Sequence, residues 1–254
     1  MSKGRIPGNN GYVKVFVLAG GLLAVFVATA TGSGAFARVD AGCARQQPAV
    51  SPELAYVGVV KTSATAFRSP RQAPFARFGR VNVNGYRTLF AIREVLNGEA
   101  CRPSWYRVQL PIHPNGVTGW VQAPRLDIGR VSTRIAVDLS KRRLTLFRAG
   151  EPVLRVRVAI GKPSTPTPRG EFYVNQKLRS RNRTGPFGPA ALGISAYSNV
   201  LTGWTQGGPI AVHGTNRPDS IGRAASTGCL RVTNSVMRRL FAVVPAGTPV
   251  SIRA

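Results

Sequence analysis

Ser226-Thr227-Gly228-Cys229-Leu230-Arg231, together with His213-Gly214-Thr215 sixteen positions before the cysteine, is the stretch that decides how this chain is read. A thiol becomes a useful nucleophile only as thiolate, so it needs a base or a positive environment to give up its proton. Here a candidate base, a glycine turn and a permanent cation arrive within one segment. The chain has only two histidines, which narrows the choice of base.

Outward from Cys229 the pattern is short strands and one helix. Val236, Met237, Leu240, Phe241 and Val244 recur at helical spacing, after Thr233 or Asn234, either of which can cap. Pro245-Ala246-Gly247-Thr248-Pro249 stops that helix, and Val250-Ser251-Ile252 reads as a closing strand. Upstream, residues 135–139 and 144–147 flank a polar turn, and residues 153–160 and 171–174 add two more strands. Residues 161–170 contain three prolines, which exclude a regular ladder, so they read as a surface loop. Residues 132–254 are therefore expected to form a β-rich domain with one clear helix after the cysteine.

Residues 54–126 alternate in short apolar runs, with turn dipeptides at Asn84-Gly85, Asn97-Gly98 and Asn115-Gly116. Trp105-Tyr106-Arg107-Val108-Gln109-Leu110 alternates as a half-buried strand should. A small antiparallel barrel is the expectation, and the fold class of the whole chain is mainly β. The sequence WYRVQLP…PNGVTGWV resembles bacterial Src-homology-3-like (SH3-like) modules, which implies either wall binding or a role as spacer and packing partner.

The chain carries 35 Lys+Arg against 9 Asp+Glu, a field that attracts polyanions. Nucleic acid is the usual partner of so basic a chain. The N-terminus points elsewhere. Lys3, Arg5 and Lys14 precede the apolar run VFVLAGGLLAVFV, and small residues lead to Ala35-Phe36-Ala37. Residues 1–37 have the layout of a secretory signal, with an uncleaved membrane anchor as the alternative. Residues 38–53 read as a flexible linker. All nine acidic residues lie beyond the signal, and so do all but three of the basic ones. The expected anionic partner is then a cell-wall polymer or membrane surface, with membrane attachment only through the N-terminal segment and no specific nucleic acid. Three cysteines are an odd set for an exported protein. Cys43 and Cys101 can close a disulfide, which leaves Cys229 as the free thiol.

Residues 134–253 resemble the catalytic domain of the YkuD-type L,D-transpeptidases, enzymes of peptidoglycan. The resemblance rests on the strand pair, the loop GKPSTPTPRGEF, the His213-Gly214-Thr215 element, the STGCLR segment and the helix after it. Thr227 departs from the pattern, since many relatives carry a second histidine there. The resemblance implies that Cys229 attacks a stem-peptide carbonyl to form a thioester, with His213 as base and then acid to the departing D-alanine amine. It also implies that the Gly214 carbonyl orients the imidazole. Backbone N–H groups of Gly228 and Cys229 are candidate oxyanion donors. Arg231 either binds a substrate carboxylate or pins the cysteine loop. Ser226 either donates near the site or caps its turn, and Thr215 has the same two readings. Tyr197 and Trp204 either line the groove or belong to the core. No cofactor is expected, and two histidines with three separated cysteines do not make a metal site. A peptidase cutting the same bond and a non-catalytic wall-binding protein are the competing functions.

Overall fold

In the computed structural model, residues 46–201 and 208–254 are described. Residues 1–37, expected to be a secretory signal, lie outside the described residues, as do Cys43 and Trp204. Cys101 is disulfide-bonded and Cys229 is free.

Alternation of apolar and polar residues produces two eight-stranded sheets. The first holds β1 (Gln46–Pro48), β2 (Ala55–Val60), β3 (Ser63–Phe67), β4 (Pro74–Gly79), β5 (Leu89–Asn97), β6 (Pro103–Gln109), β7 (Thr118–Gln122) and β8 (Leu126–Val131). Its order is β4-β3-β7-β6-β5-β2-β8, with β1 added on β5 and every pairing antiparallel. Thr88 N donates to Arg80 O at 2.9 Å, which brings the chain after β4 back to the start of β5 and curls the sheet. Ala66, Phe90, Ile92, Val108 and Leu110 fill the core inside that curl. The described part of the expected linker is ordered, because β1 pairs with β5 and Ala49 is buried in this core. The sheet also runs past residue 126, since β8 pairs along the whole of β2. At Asn97-Gly98 the turn is broader than a hairpin, and positive φ falls on Ala100 and Cys101, not on the glycine.

The second sheet comprises β9 (Thr133–Asp138), β10 (Arg143–Arg148), β11 (Glu151–Arg157), β13 (Gly170–Arg179), β14 (Ala190–Tyr197), β15 (Pro209–His213), β17 (Leu230–Arg231) and β18 (Pro249–Arg253). A separate parallel pair joins β12 (Ile160–Gly161) to β16 (Ala224–Ser226). The order of the large sheet is β11-β10-β9-β18-β13-β14-β15-β17, in which β9–β18 and β15–β17 are parallel. Helix α1 (Asn234–Val243) starts at Thr233, whose hydroxyl accepts from Val236 N at 3.4 Å. Its Met237 and Leu240, with Val244 just beyond, are fully buried in one core with Leu192 and Val212. Burial of each such side chain stabilises by about 1.5–3 kcal/mol. Among the described residues no helix is long and apolar enough to cross a membrane.

The sheets meet through polar side chains as well as apolar ones. Tyr173 is fully buried, and burial pushes its hydroxyl well up, so it stays protonated and donates to Leu89 O at 3.1 Å. Gln109 Nε2 donates to Glu171 O at 2.6 Å. Asn115 brackets Tyr197 by accepting from its N–H and donating to its carbonyl, at 2.9 and 2.8 Å.

Candidate active site

Parallel pairing of β15 with β17 sets Val212 beside Leu230 and His213 beside Arg231, which carries Cys229 alongside Ala211, two residues before His213. The turn before Cys229 is held by one hydroxyl. Ser226 Oγ donates to Cys229 O at 2.6 Å and accepts from Gly228 N at 3.2 Å. Gly228 sits at φ +115, where L side chains are strained, and a Cβ there would stand 2.9 Å from Ile210 Cδ1. Ser226 is therefore the residue that closes the turn. The Gly228 N–H, expected to face an oxyanion, is engaged by that hydroxyl.

The proline-rich loop 161–170 is not simply surface. Thr167 is 4% exposed. Its Oγ1 donates to Gly228 O at 2.8 Å and accepts from Gly161 N at 2.9 Å. Lys162 N donates to Ser226 O at 2.9 Å. Gly161 ends β12 and Gly170 opens β13, while the prolines keep residues 162–169 between them out of a ladder, and that backbone braces the cysteine turn.

His213 is 3% exposed, with Nδ1 2.5 Å from Gly214 O. A carbonyl only accepts, so Nδ1 carries the proton and Nε2 keeps its lone pair. Gly214 has no room for a side chain, because a Cβ would lie 2.4 Å from Asn234 Oδ1 and 2.9 Å from Pro189 Cδ. Asn234 Oδ1 accepts from Thr215 N at 2.8 Å, tying the histidine loop to the first residue of α1. Phe187 stands edge-on to the imidazole, ring centres 5.0 Å apart.

Electrostatics leave the Cys229 thiol and the His213 imidazole neutral at neutral pH. Burial pushes the Cys229 thiol up, opposed by a backbone hydrogen bond from Ala211 and the charge of Arg231. Burial lowers His213 to about 4, the Gly214 carbonyl opposes this, and Arg231 lowers it further. Arg231 Nε is buried without a hydrogen-bond partner among the described residues.

Cys229, His213, Arg231 and Ser226 line one cavity of about 430 Å³, with Thr227 and Phe187 also on its wall. Gly214, Gly228 and Thr215 do not line it. Thr215 turns its hydroxyl to accept from Arg217 N at 3.0 Å, so it shapes the loop and lies off the cavity wall. Tyr197 is no groove residue either, since its hydroxyl donates to Pro111 O at 2.7 Å and its ring lies 4.5 Å from His113. Sequence reasoning missed Thr167, Ala211 and the bracing role of Asn234. Only Asn234 gave a signal, as a possible helix cap.

Residues 132–252 match the L,D-transpeptidase catalytic domain, YkuD. The YkuD protein of Bacillus licheniformis is 41% identical over 47% of this chain and 64% of its own length. YqjB of Bacillus subtilis, also named an L,D-transpeptidase, is 31% identical over 56% of this chain and 78% of its own. The chain thus spans less than two thirds of the YkuD relative. Among solved structures, the catalytic domain of an Enterococcus faecium L,D-transpeptidase is 30% identical over 48% of this chain and 96% of that one, with a TM-score of 0.35.

Proposed function

Because the chain belongs to the YkuD-type L,D-transpeptidase family, we infer that it is a cysteine acyltransferase acting on peptidoglycan stem peptides. His213 Nε2 takes the Cys229 proton as the sulfur attacks the carbonyl that precedes the terminal D-alanine of a tetrapeptide stem. The Cys229 N–H, at the glycine turn, stabilises the oxyanion. The protonated imidazole then gives its proton to the departing D-alanine amine, leaving a thioester on Cys229. An amine of a second stem attacks that thioester and forms the crosslink. The observation that carries this reading is the Gly214 carbonyl on Nδ1, which fixes the tautomer that a base at Nε2 requires. Arg231, with its buried Nε unpaired among the described residues, suits a substrate carboxylate.

Export through residues 1–37 brings the enzyme to the wall. The excess of basic residues favours anionic wall polymers as a second partner. Residues 54–126 form an SH3-like module in this reading, ahead of the catalytic domain at 132–254.

The test incubates the protein and its Cys229→Ala variant with purified tetrapeptide-stem muropeptides and follows products by mass spectrometry. D-Alanine release with dimers from the wild type alone supports transpeptidation. Trimmed monomers alone make the protein a hydrolase, and identical products from both proteins reject Cys229 catalysis.

A further inference from the structure

One wall of the catalytic cavity comes from the first sheet. Between β4 and β5 the chain forms a hairpin, with Val81 bridged to Arg87 and Gly85 at φ +77. Asn82 Oδ1 accepts from Asn84 N at 2.9 Å and Tyr86 N at 3.1 Å, which fixes the tip. From this tip Asn84 lines the cavity that holds Cys229 and His213. Asn82 Nδ2 and Asn84 Nδ2 both donate to Gln176 Oε1, at 3.2 and 3.1 Å. Two donors on one oxygen set the orientation of the Gln176 amide and leave its Nε2 on the side of Gly193. A Cβ at Gly193 would stand 2.7 Å from Gln176 Cγ and 3.0 Å from Nε2, so glycine is what lets the amide lie there. Gln176 and Gly193 also line the cavity.

Sheet register relates this cluster to the nucleophile. Gln176 pairs with Gly193, and Gly193 pairs with Ala211. Ala211 is the residue whose backbone is hydrogen-bonded to the Cys229 thiol. The carboxamides therefore lie at one end of a row across β13, β14 and β15, and Cys229 lies one strand position beyond its other end. Three strand spacings make that span about 14 Å, which an extended peptide covers in about four residues. Carboxamides are uncharged and offer both donor and acceptor, the complement of peptide N–H and C=O. Farther along β13, Arg179 opposite Ala190 makes another part of the wall cationic.

We propose that the hairpin tip at residues 82–86 selects substrate, with Asn84 and Gln176 hydrogen-bonding the backbone of the stem peptide whose carbonyl reacts at Cys229. This rests on the stem-peptide reading above. The first sheet is then part of the active site as well as a neighbour of it.

The test measures steady-state kinetics with a tetrapeptide-stem muropeptide, and Cys229 alkylation by iodoacetamide, for the full chain and for Asn84→Ala, Asn84→Gln and Asn82→Ala. Loss of the Asn84 amide should raise KM about 3- to 10-fold with kcat within about twofold. Asn84→Gln should recover part of the loss, and Asn82→Ala should raise KM less than Asn84→Ala. Alkylation rates should match in all four proteins. A wild-type KM in Asn84→Ala overturns the proposal, and so does a change in alkylation that follows the change in KM, because the effect would then be on the fold. A wild type that never turns over the stem removes the premise instead, and is distinguished by failing before any substitution is made.

Discussion

The two sheets are built from the same apolar alternation but differ in what they bury besides apolar side chains. In the first, the buried polar residues are Thr88 and Gln109, and Gln109 serves to hold the neighbouring sheet. In the second, Thr167, His213, Thr215 and Ser226 are all buried around one turn and one loop. Burying a polar group costs free energy unless it is hydrogen-bonded. Thr167 and Ser226 meet that cost by bracing the cysteine turn, and His213 meets it on the Gly214 carbonyl. Around the cysteine turn the buried polar residues lie mostly where the chain leaves its ladders, whereas Thr133, Thr145 and Ser251 are buried within strands.

The comparison breaks most readily at Cys229. Cys229→Ala should lower turnover of a stem substrate by about a thousandfold or more while the circular dichroism spectrum stays unchanged. In the first sheet, Val108→Ala at a fully buried site should cost about 1–3 kcal/mol of stability in denaturant titration and leave kcat near wild type. Loss of chemistry in Val108→Ala would erase the distinction between the sheets.

Gly214→Ala comes next. The added Cβ meets both Asn234 Oδ1 and the Pro189 ring, so the loop must move and the carbonyl must leave Nδ1. We expect a fall in kcat of about 10- to 100-fold and a stability loss of about 2 kcal/mol. Kinetics together with thermal unfolding checks both.

Acid should destabilise the folded chain through the same histidine. His213 titrates near 4 when folded and near its ordinary 6.5 when unfolded. Between those values the unfolded chain binds the extra proton, so stability falls as pH drops from 6.5 through 4. The loss is on the order of 3 kcal/mol. Urea titrations at pH 7 and pH 4 on wild type and His213→Gln should show this component only in wild type.

Thr167→Val comes last. It removes one hydroxyl that both accepts from Gly161 N and donates to Gly228 O. A loss of about 1–3 kcal/mol follows from leaving those buried groups unpaired. A Cys229 alkylation rate that changes with it would sharpen the link between the loop and the nucleophile.

Much of this was legible in the chain itself. Helical spacing at Met237, Leu240 and Val244 located the helix, and the cysteine segment with its upstream histidine pointed to two residues that line one cavity. Alternation in residues 105–110 marked β6. What escaped reading depends on partners distant in sequence. Thr167 sits among prolines that announce a loop, and its partner Gly228 lies 61 residues away. Strand β1 is three exposed polar or proline residues, recognisable only by its pairing with β5. Asn84 looked like half of a turn dipeptide, yet it reaches Gln176 across 92 residues. Local pattern reports conformation, and it is silent about what a turn's side chains will meet.

The central claim is that Cys229 carries the acyl group. Intact-mass spectrometry of the full chain, quenched in acid during reaction with a tetrapeptide-stem donor, tests it most directly. The account predicts an adduct with the mass of the donor less D-alanine, mapped to Cys229 by peptide digestion and absent from Cys229→Ala. Product formation at the wild-type rate by Cys229→Ala, or an adduct on another residue, would contradict it.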